Sequence, residues 1–80
     1  MKTLASLREN IDKIDHQIAK LLQKRLQISE KILEAKKNTK SKITDKAREK
    51  EILEKFDSKE EQEVFKTIIK VCKKRQFMLK

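Results

Sequence analysis

Glycine and proline are absent from this 80-residue chain, as are tryptophan and tyrosine. Because glycine and proline are the usual residues of hairpins and tight turns, their absence argues against a β-rich fold. The one cysteine cannot form a disulfide within the chain, and no apolar run is long enough to span a membrane. No signal-peptide pattern opens the sequence. We therefore expect a cytoplasmic chain with no membrane partner.

Lysine, glutamate, leucine and isoleucine make up much of the chain, a composition typical of helical proteins. Eighty residues allow one small domain, so residues 1–80 are predicted to form a single all-α unit. We expect no second catalytic or regulatory domain. A domain of this size buries a modest core and often depends on oligomerisation.

The formal net charge of +9 has three interpretations. Nucleic-acid binding is one, but the lysines are interleaved with glutamate and aspartate, and there is no tryptophan or tyrosine to stack on bases. A solvated lysine-rich surface is the second interpretation. The third is a site for a small anionic ligand, which needs only a few cations brought together.

A heptad stripe of apolar residues, interrupted by one arginine, runs along the first half of the chain. Its members are Leu4, Leu7, Ile11, Ile14, Ile18, Leu21, Arg25, Ile28, Ile32 and Ala35. The alternating steps of three and four predict one long helix with a buried seam. An arginine in such a seam is costly unless an anionic or polar group meets it, which makes Arg25 a candidate functional residue.

Two shorter helices are predicted to follow. The long helix begins at Thr3 or at Ser6, where Ser6 and Glu9 fit a capping box, and it ends near residue 37. Residues 38–42 are polar and aperiodic, which indicates a loop. The second helix is expected from residue 44 or 45 to residue 56. A capping box of Ser58 and Glu61 opens the third, which continues nearly to residue 80.

The long helix predicts a dimer. A helix of about 34 residues is roughly 50 Å long, whereas a compact 80-residue domain has a radius of gyration of only about 12 Å. The shorter helices cannot cover the whole seam, so we expect two long helices to pair in an intertwined homodimer.

Polar residues interrupt the inward stripe of each predicted helix. They are Arg25 and Lys36 on the first helix, Asp45, Arg48 and Glu49 on the second, and Gln76 on the third. A cationic pocket with carboxylates and an amide would suit a small ligand that carries carboxylates and a hydroxyl.

Several of these residues also have a purely structural interpretation. Arg25 would form an interhelical salt bridge, Asp45 would be a helix N-cap, and Gln76 would face water at a helix end. Cys72 would be a small buried filler. No second histidine or cysteine stands at metal-ligand spacing from His16 or Cys72, so no metal site is predicted.

The ordered set of motifs resembles the all-helical chorismate mutases over nearly the whole chain. The motifs are Leu7-Arg8-(x)2-Ile11-Asp12-(x)2-Asp15, Leu21-Leu22-(x)2-Arg25, Ala35-Lys36, Asp45-(x)2-Arg48-Glu49 and Ile68-Ile69-(x)2-Cys72-(x)3-Gln76. The resemblance implies an intertwined dimer of three-helix subunits that rearranges chorismate to prephenate, on the route to phenylalanine and tyrosine, without a cofactor.

The resemblance also implies roles for individual residues. Arg8 and Arg25 would bind the two substrate carboxylates, Lys36 and Gln76 the ether oxygen, and Glu49 the ring hydroxyl. Asp45 and Arg48 would order that end of the pocket. Cys72 stands where the family often has serine, as a residue of the substrate-binding set.

Geometry independently places Arg8 in the site of a second chain. Arg8 and Arg25 are about 25 Å apart along one helix, so one small ligand cannot contact both. In an antiparallel pairing centred near residue 20, Arg8 lies opposite residue 32 of the partner, between Arg25 and Lys36. Two alternatives remain: an isochorismate pyruvate lyase of the same fold, and a non-enzymatic helical adaptor or nucleic-acid module.

Overall fold

The computed structural model describes residues 3–37 and 45–79. Within these ranges the chain forms three α-helices and no strand: α1 is Leu4–Lys37, α2 is Lys46–Glu54 and α3 is Lys59–Leu79. The prediction of an all-α chain with one long and two shorter helices is confirmed. The loop predicted at residues 38–42 lies outside the described residues.

Thr3 caps the start of α1. Its hydroxyl oxygen accepts a hydrogen bond from the Ser6 backbone N–H at 3.1 Å, and its carbonyl accepts from the Leu7 N–H at 3.0 Å. Ser6 therefore lies inside the first helical turn, and the alternative start at Ser6 is wrong. A threonine hydroxyl in this position satisfies one of the N–H groups that the first turn leaves without an intrahelical partner.

The turn between α2 and α3 is built without glycine or proline. The last residue of α2 is Glu54, two residues before the predicted end near Phe56, and Lys55 caps the helix in a right-handed helical conformation, with φ −73° and ψ −15°. The Gln62 amide, from the first turns of α3, donates to the Phe56 carbonyl at 2.9 Å and to the Leu53 carbonyl at 3.4 Å. A side chain thus satisfies carbonyl groups that a glycine cap would otherwise serve.

Ser58 opens α3 as predicted. The Glu61 backbone N–H donates to the Ser58 hydroxyl oxygen at 3.1 Å, and that hydroxyl donates to the Glu61 carboxylate at 2.9 Å. The Phe56 and Phe65 rings stack with their centroids 4.0 Å apart, which packs the end of α2 against α3. These contacts fix the angle at which α2 returns along α3.

The core between α1 and α3 lies on a different face of α1 from the one predicted. Ser29 and Leu33 are the buried residues of α1, each one position beyond Ile28 and Ile32 of the heptad stripe. One position is about 100° around a helix, so α3 packs beside the stripe and not on it. On α3, Ile69 is buried, whereas Leu79 at the end of the helix is 47% exposed.

The heptad stripe is exposed within a single chain. Leu4 and Leu21 are each 63% exposed, and Ile11, Ile14 and Ile18 are all more than half exposed. The radius of gyration is 16.1 Å and the longest dimension is 57 Å. Both exceed what a compact chain of this length needs, because α3 reaches only the second half of α1.

None of the helices within residues 3–37 and 45–79 combines the length and the apolar character that crossing a membrane requires.

Replacing Gln62 with methionine should destabilise the fold by about 1–2 kcal/mol, because the Phe56 carbonyl loses its side-chain donor while side-chain length is kept. The Leu53 carbonyl keeps its bond from the Phe56 backbone N–H. Gln27→Met is the matched control, since Gln27 is an exposed glutamine on α1. Chemical denaturation at one fixed protein concentration measures both. Equal midpoints for the two variants would contradict the capping role of Gln62.

Candidate active site

All three helices contribute to one open pocket of about 280 Å³. Its lining residues are Arg25, Ile28, Ile32, Lys36, Asp45, Arg48, Glu49, Ile52, Ile69, Cys72, Lys73 and Gln76. Seven of the eight site residues predicted from the sequence are in this set, and Arg8 is the exception. The four isoleucines supply apolar wall between the charged groups, an arrangement common in small-molecule sites.

Arg25 enters the pocket from α1 and contacts α3. Its Nη1 donates to the Cys72 Sγ at 3.0 Å, and Cys72 itself is buried. A cysteine sulfur is a weak acceptor, so this contact orients the guanidinium while donating only one of its hydrogens. The interhelical salt bridge considered for Arg25 is therefore replaced by a contact that leaves its charge available to a ligand.

Lys36 lies three turns after Arg25 on the same side of α1 and is partly buried. Eleven residues correspond to about 16 Å along the axis and about 20° around it, so the two side chains enter the pocket from opposite ends of one helix face. Two cations at that spacing can hold different anionic groups of one small ligand.

Gln76 is buried between α1 and α3, with 7% of its surface exposed. Its Nε2 donates to the Ser29 backbone carbonyl at 2.8 Å. An amide nitrogen carries two hydrogens, so this bond fixes the plane of the amide and leaves the second N–H to donate elsewhere. The water-facing position considered for Gln76 is wrong.

Asp45 and Arg48 occupy the start of α2 at the rim of the pocket. Asp45 Oδ1 accepts from the Arg48 backbone N–H at 3.0 Å, which confirms Asp45 as a helix N-cap. The Arg48 guanidinium forms an ion pair with Glu51 at 3.1 Å, with both side chains more than half exposed. An exposed pair of this kind is weak, so Arg48 can turn toward a ligand at little cost.

Glu49 extends from α2 toward α3 and pairs with Lys73. The Lys73 Nζ lies 3.2 Å from one Glu49 oxygen and 3.4 Å from the other. Both side chains are about one quarter exposed, which makes the pair the least exposed of the ion pairs found between described residues.

Arg8 does not reach this pocket. It is exposed on a part of α1 that neither α2 nor α3 covers. A separation of 17 positions places Arg8 and Arg25 about 25 Å apart along α1. Because both arginines are on the single helix α1, they do not meet within one chain.

The charges of the pocket favour a small anion. Four cationic side chains (Arg25, Lys36, Arg48 and Lys73) and two carboxylates (Asp45 and Glu49) give a formal net charge of +2. Across the described residues, no three histidine, cysteine, aspartate or glutamate side chains cluster closely enough to hold a metal ion. The pocket thus combines cations, an amide donor and a carboxylate acceptor, which can bind and orient a polar dianion.

Two residues of the site, Ser29 and Lys73, were not predicted from the sequence. The Ser29 carbonyl, which holds Gln76, is a backbone group and has no sequence signal. Lys73 is one lysine among many in a basic chain, and only its position beside Cys72 and one turn before Gln76 marks it as facing the pocket. Lys73 could have been found by projecting α3 onto a helical wheel and asking which neighbours lie beside Cys72 and Gln76.

Comparison with protein families assigns the class of protein. A family described as chorismate mutase type II matches residues 7–77, which is most of the chain. The chain therefore belongs to this all-helical chorismate mutase family, and the resemblance inferred from its motifs is confirmed. No curated protein and no solved structure matches the chain significantly.

The Cys72 thiol should react slowly with N-ethylmaleimide in the folded protein, because only 4% of the residue is exposed. The matched control is the double variant Cys72→Ser, Lys74→Cys, which places one cysteine at an exposed neighbouring position of α3. We expect the control to react at least about tenfold faster in buffer and equally fast in denaturant. Equal rates in buffer would contradict the burial of Cys72.

Proposed function

We propose that this protein is a chorismate mutase that catalyses the rearrangement of chorismate to prephenate. The observation that carries the proposal is the single pocket in which Arg25, Lys36, Glu49 and Gln76 meet with net positive charge. Chorismate carries two carboxylates, an ether oxygen and a ring hydroxyl. The pocket holds a complementary group for one carboxylate, for the ether oxygen and for the ring hydroxyl. Membership of the chorismate mutase family supports the assignment.

The reaction suits the residue types of the pocket. A Claisen rearrangement is intramolecular and needs neither a nucleophile nor a proton transfer. The rate must then come from holding the substrate in its chair-like reactive conformation and from stabilising negative charge on the breaking ether oxygen. Fixed guanidinium, ammonium and amide groups can do both.

In the proposed complex, Arg25 binds one carboxylate, and Lys36 and Gln76 donate to the ether oxygen. The Gln76 amide is suited to this because the Ser29 carbonyl already fixes one of its N–H groups and leaves the other to the substrate. Glu49 accepts a hydrogen bond from the ring hydroxyl. Asp45 and Arg48 order the rim of the pocket at the start of α2.

We further propose that the protein is an intertwined homodimer. Eight leucine and isoleucine residues of the α1 stripe are 45–63% exposed in one chain. Burying the exposed half of each would contribute roughly 1 kcal/mol, or about 16 kcal/mol for two chains. This sum is of the same order as the cost of association, about 4–15 kcal/mol before side-chain ordering, so the stripe is the surface through which we expect two α1 helices to pair.

The same pairing would complete the site. The exposed stripe extends from Leu4 to Ile32, so an antiparallel pair centred on its middle, near residues 18–20, sets Arg8 opposite residues 28–32 of the other chain. Ile28 and Ile32 line the pocket. Arg8 of each chain would therefore bind the second carboxylate in the partner's pocket, and the dimer would hold two shared sites.

Wild-type protein should accelerate the loss of chorismate absorbance and form prephenate, while Arg25→Met should lower kcat/KM by about 100-fold or more because a carboxylate loses its charged partner. Lys24→Met is the matched control, since it removes the same charge from an exposed neighbouring position and should retain activity. Formation of salicylate from isochorismate instead of prephenate from chorismate would assign the isochorismate pyruvate lyase function. No activity on either substrate would contradict both.

Mixing Arg8→Ala with Arg25→Ala protein should restore activity that neither homodimer has. After random exchange of subunits, half of the dimers are heterodimers. One of the two sites in each heterodimer has both arginines, so we expect about one quarter of wild-type activity. Chain exchange is verified by native mass spectrometry, and the dimer by sedimentation. Verified heterodimers without activity would contradict the shared site.

A further inference from the structure

Lys73 contacts the proposed site but has no part in the mechanism described so far. It follows Cys72 on α3, precedes Gln76 by one turn and lines the same pocket. Its Nζ lies within 3.4 Å of both oxygens of Glu49, across 24 residues of sequence. The pair therefore joins the face of α3 that carries Cys72 and Gln76 to Glu49 on α2, the proposed acceptor of the ring hydroxyl.

The Lys73–Glu49 pair differs from the other ion pairs of α2. Arg48–Glu51 and Lys50–Glu54 connect neighbouring turns of α2 itself, and all four of their side chains are more than half exposed. Lys73 and Glu49 are only 28% and 27% exposed, and their bond crosses between helices. Partial burial makes such a charge-assisted bond stronger and more sensitive to geometry than an exposed pair within one helix.

The position of the pair along α2 determines how the Glu49 side chain is oriented. The C-terminal end of α2 is held against α3 by the stacking of Phe56 on Phe65 and by the Gln62 amide. Glu49 lies near the other end, in the first turn of this nine-residue helix. A glutamate side chain there has several rotamers of similar energy, and contact with Lys73 selects the one in which the carboxylate faces the pocket.

We propose that Lys73 is a positioning residue that holds the Glu49 carboxylate in place to accept the ring hydroxyl of the substrate, and that it thereby sets the preference for a substrate that carries this hydroxyl. The proposal rests on the proposed chorismate mutase function. An ammonium group uses one or two of its donors on Glu49, while a carboxylate offers about four acceptor sites, so the hydroxyl can still bind.

The role can be distinguished from that of a structural tether between α2 and α3. A residue that only holds α2 against α3 changes the fraction of folded protein, so its loss lowers the measured activity equally for every substrate. A positioning residue acts only through the hydroxyl, so removing it should affect chorismate and spare an analogue that lacks the ring hydroxyl. Its effect should also disappear when Glu49 can no longer act as a carboxylate.

The experiment compares kcat/KM for chorismate and for the analogue without the ring hydroxyl, using wild type, Lys73→Met, Lys73→Arg, Glu49→Gln and the double variant Lys73→Met, Glu49→Gln. Lys70→Met is the matched control, because Lys70 is an exposed lysine one turn earlier on α3 that does not line the pocket. Circular dichroism verifies folding, and Lys73→Gln replaces Lys73→Met in every comparison if the methionine variant does not fold.

We expect Lys73→Met to lower kcat/KM for chorismate about tenfold and for the analogue less than about twofold, with Lys73→Arg close to wild type and Lys70→Met unchanged. In the Glu49→Gln background, Lys73→Met should cause no further loss. Three results would each overturn the role of Lys73 while leaving the mutase function intact. They are an equal loss of kcat/KM on both substrates, losses that multiply in the double variant, and no loss of kcat/KM in Lys73→Met. Inactive wild type would overturn the mutase function, and the role of Lys73 with it.

Discussion

The length of α1 is the constraint on which the rest of the structure depends. Its 34 residues span about 51 Å, and the 21 residues of α3 can cover only part of that length. The covered half of α1 provides Arg25 and Lys36 to a pocket that the two shorter helices complete, and its Ser29 carbonyl holds Gln76. The uncovered half has apolar residues without a partner, so one helix provides both a binding wall and a surface for association.

Local patterns predicted the helices well because their signals are local. The Ser58–Glu61 capping box and the Asp45 N-cap each depend on atoms within one helical turn. The face of α1 that packs on α3 could not be predicted in this way. The heptad stripe marks the most apolar face of α1, but α3 packs beside it on Ser29 and Leu33, and a serine in a core gives no hydrophobic signal.

The pocket was predictable to the extent that its residues break an apolar pattern. Arg25 and Gln76 each stand where an apolar residue was expected, and both line the pocket. Lys73 breaks no pattern in a chain with 22 lysine and arginine residues, so its contact with Glu49 emerges only when the distance between two helices is known. The position of Arg8 in a complete site depends on a second chain, and the stripe of one helix predicts it only when an antiparallel pairing of two chains is added.

The way the α2–α3 turn is closed has a consequence for how fast the chain folds. Because the turn relies on the Gln62 side chain and the chain has no proline, no X–Pro bond exists to isomerise, and the phases of tens of seconds that such bonds cause have no source here. The α2–α3 hairpin consists of near neighbours in sequence and can form on the timescale of helix formation. The slower steps are then the docking of α1 across a separation of 47 residues and, in the proposed dimer, the encounter of two chains, whose rate rises with protein concentration.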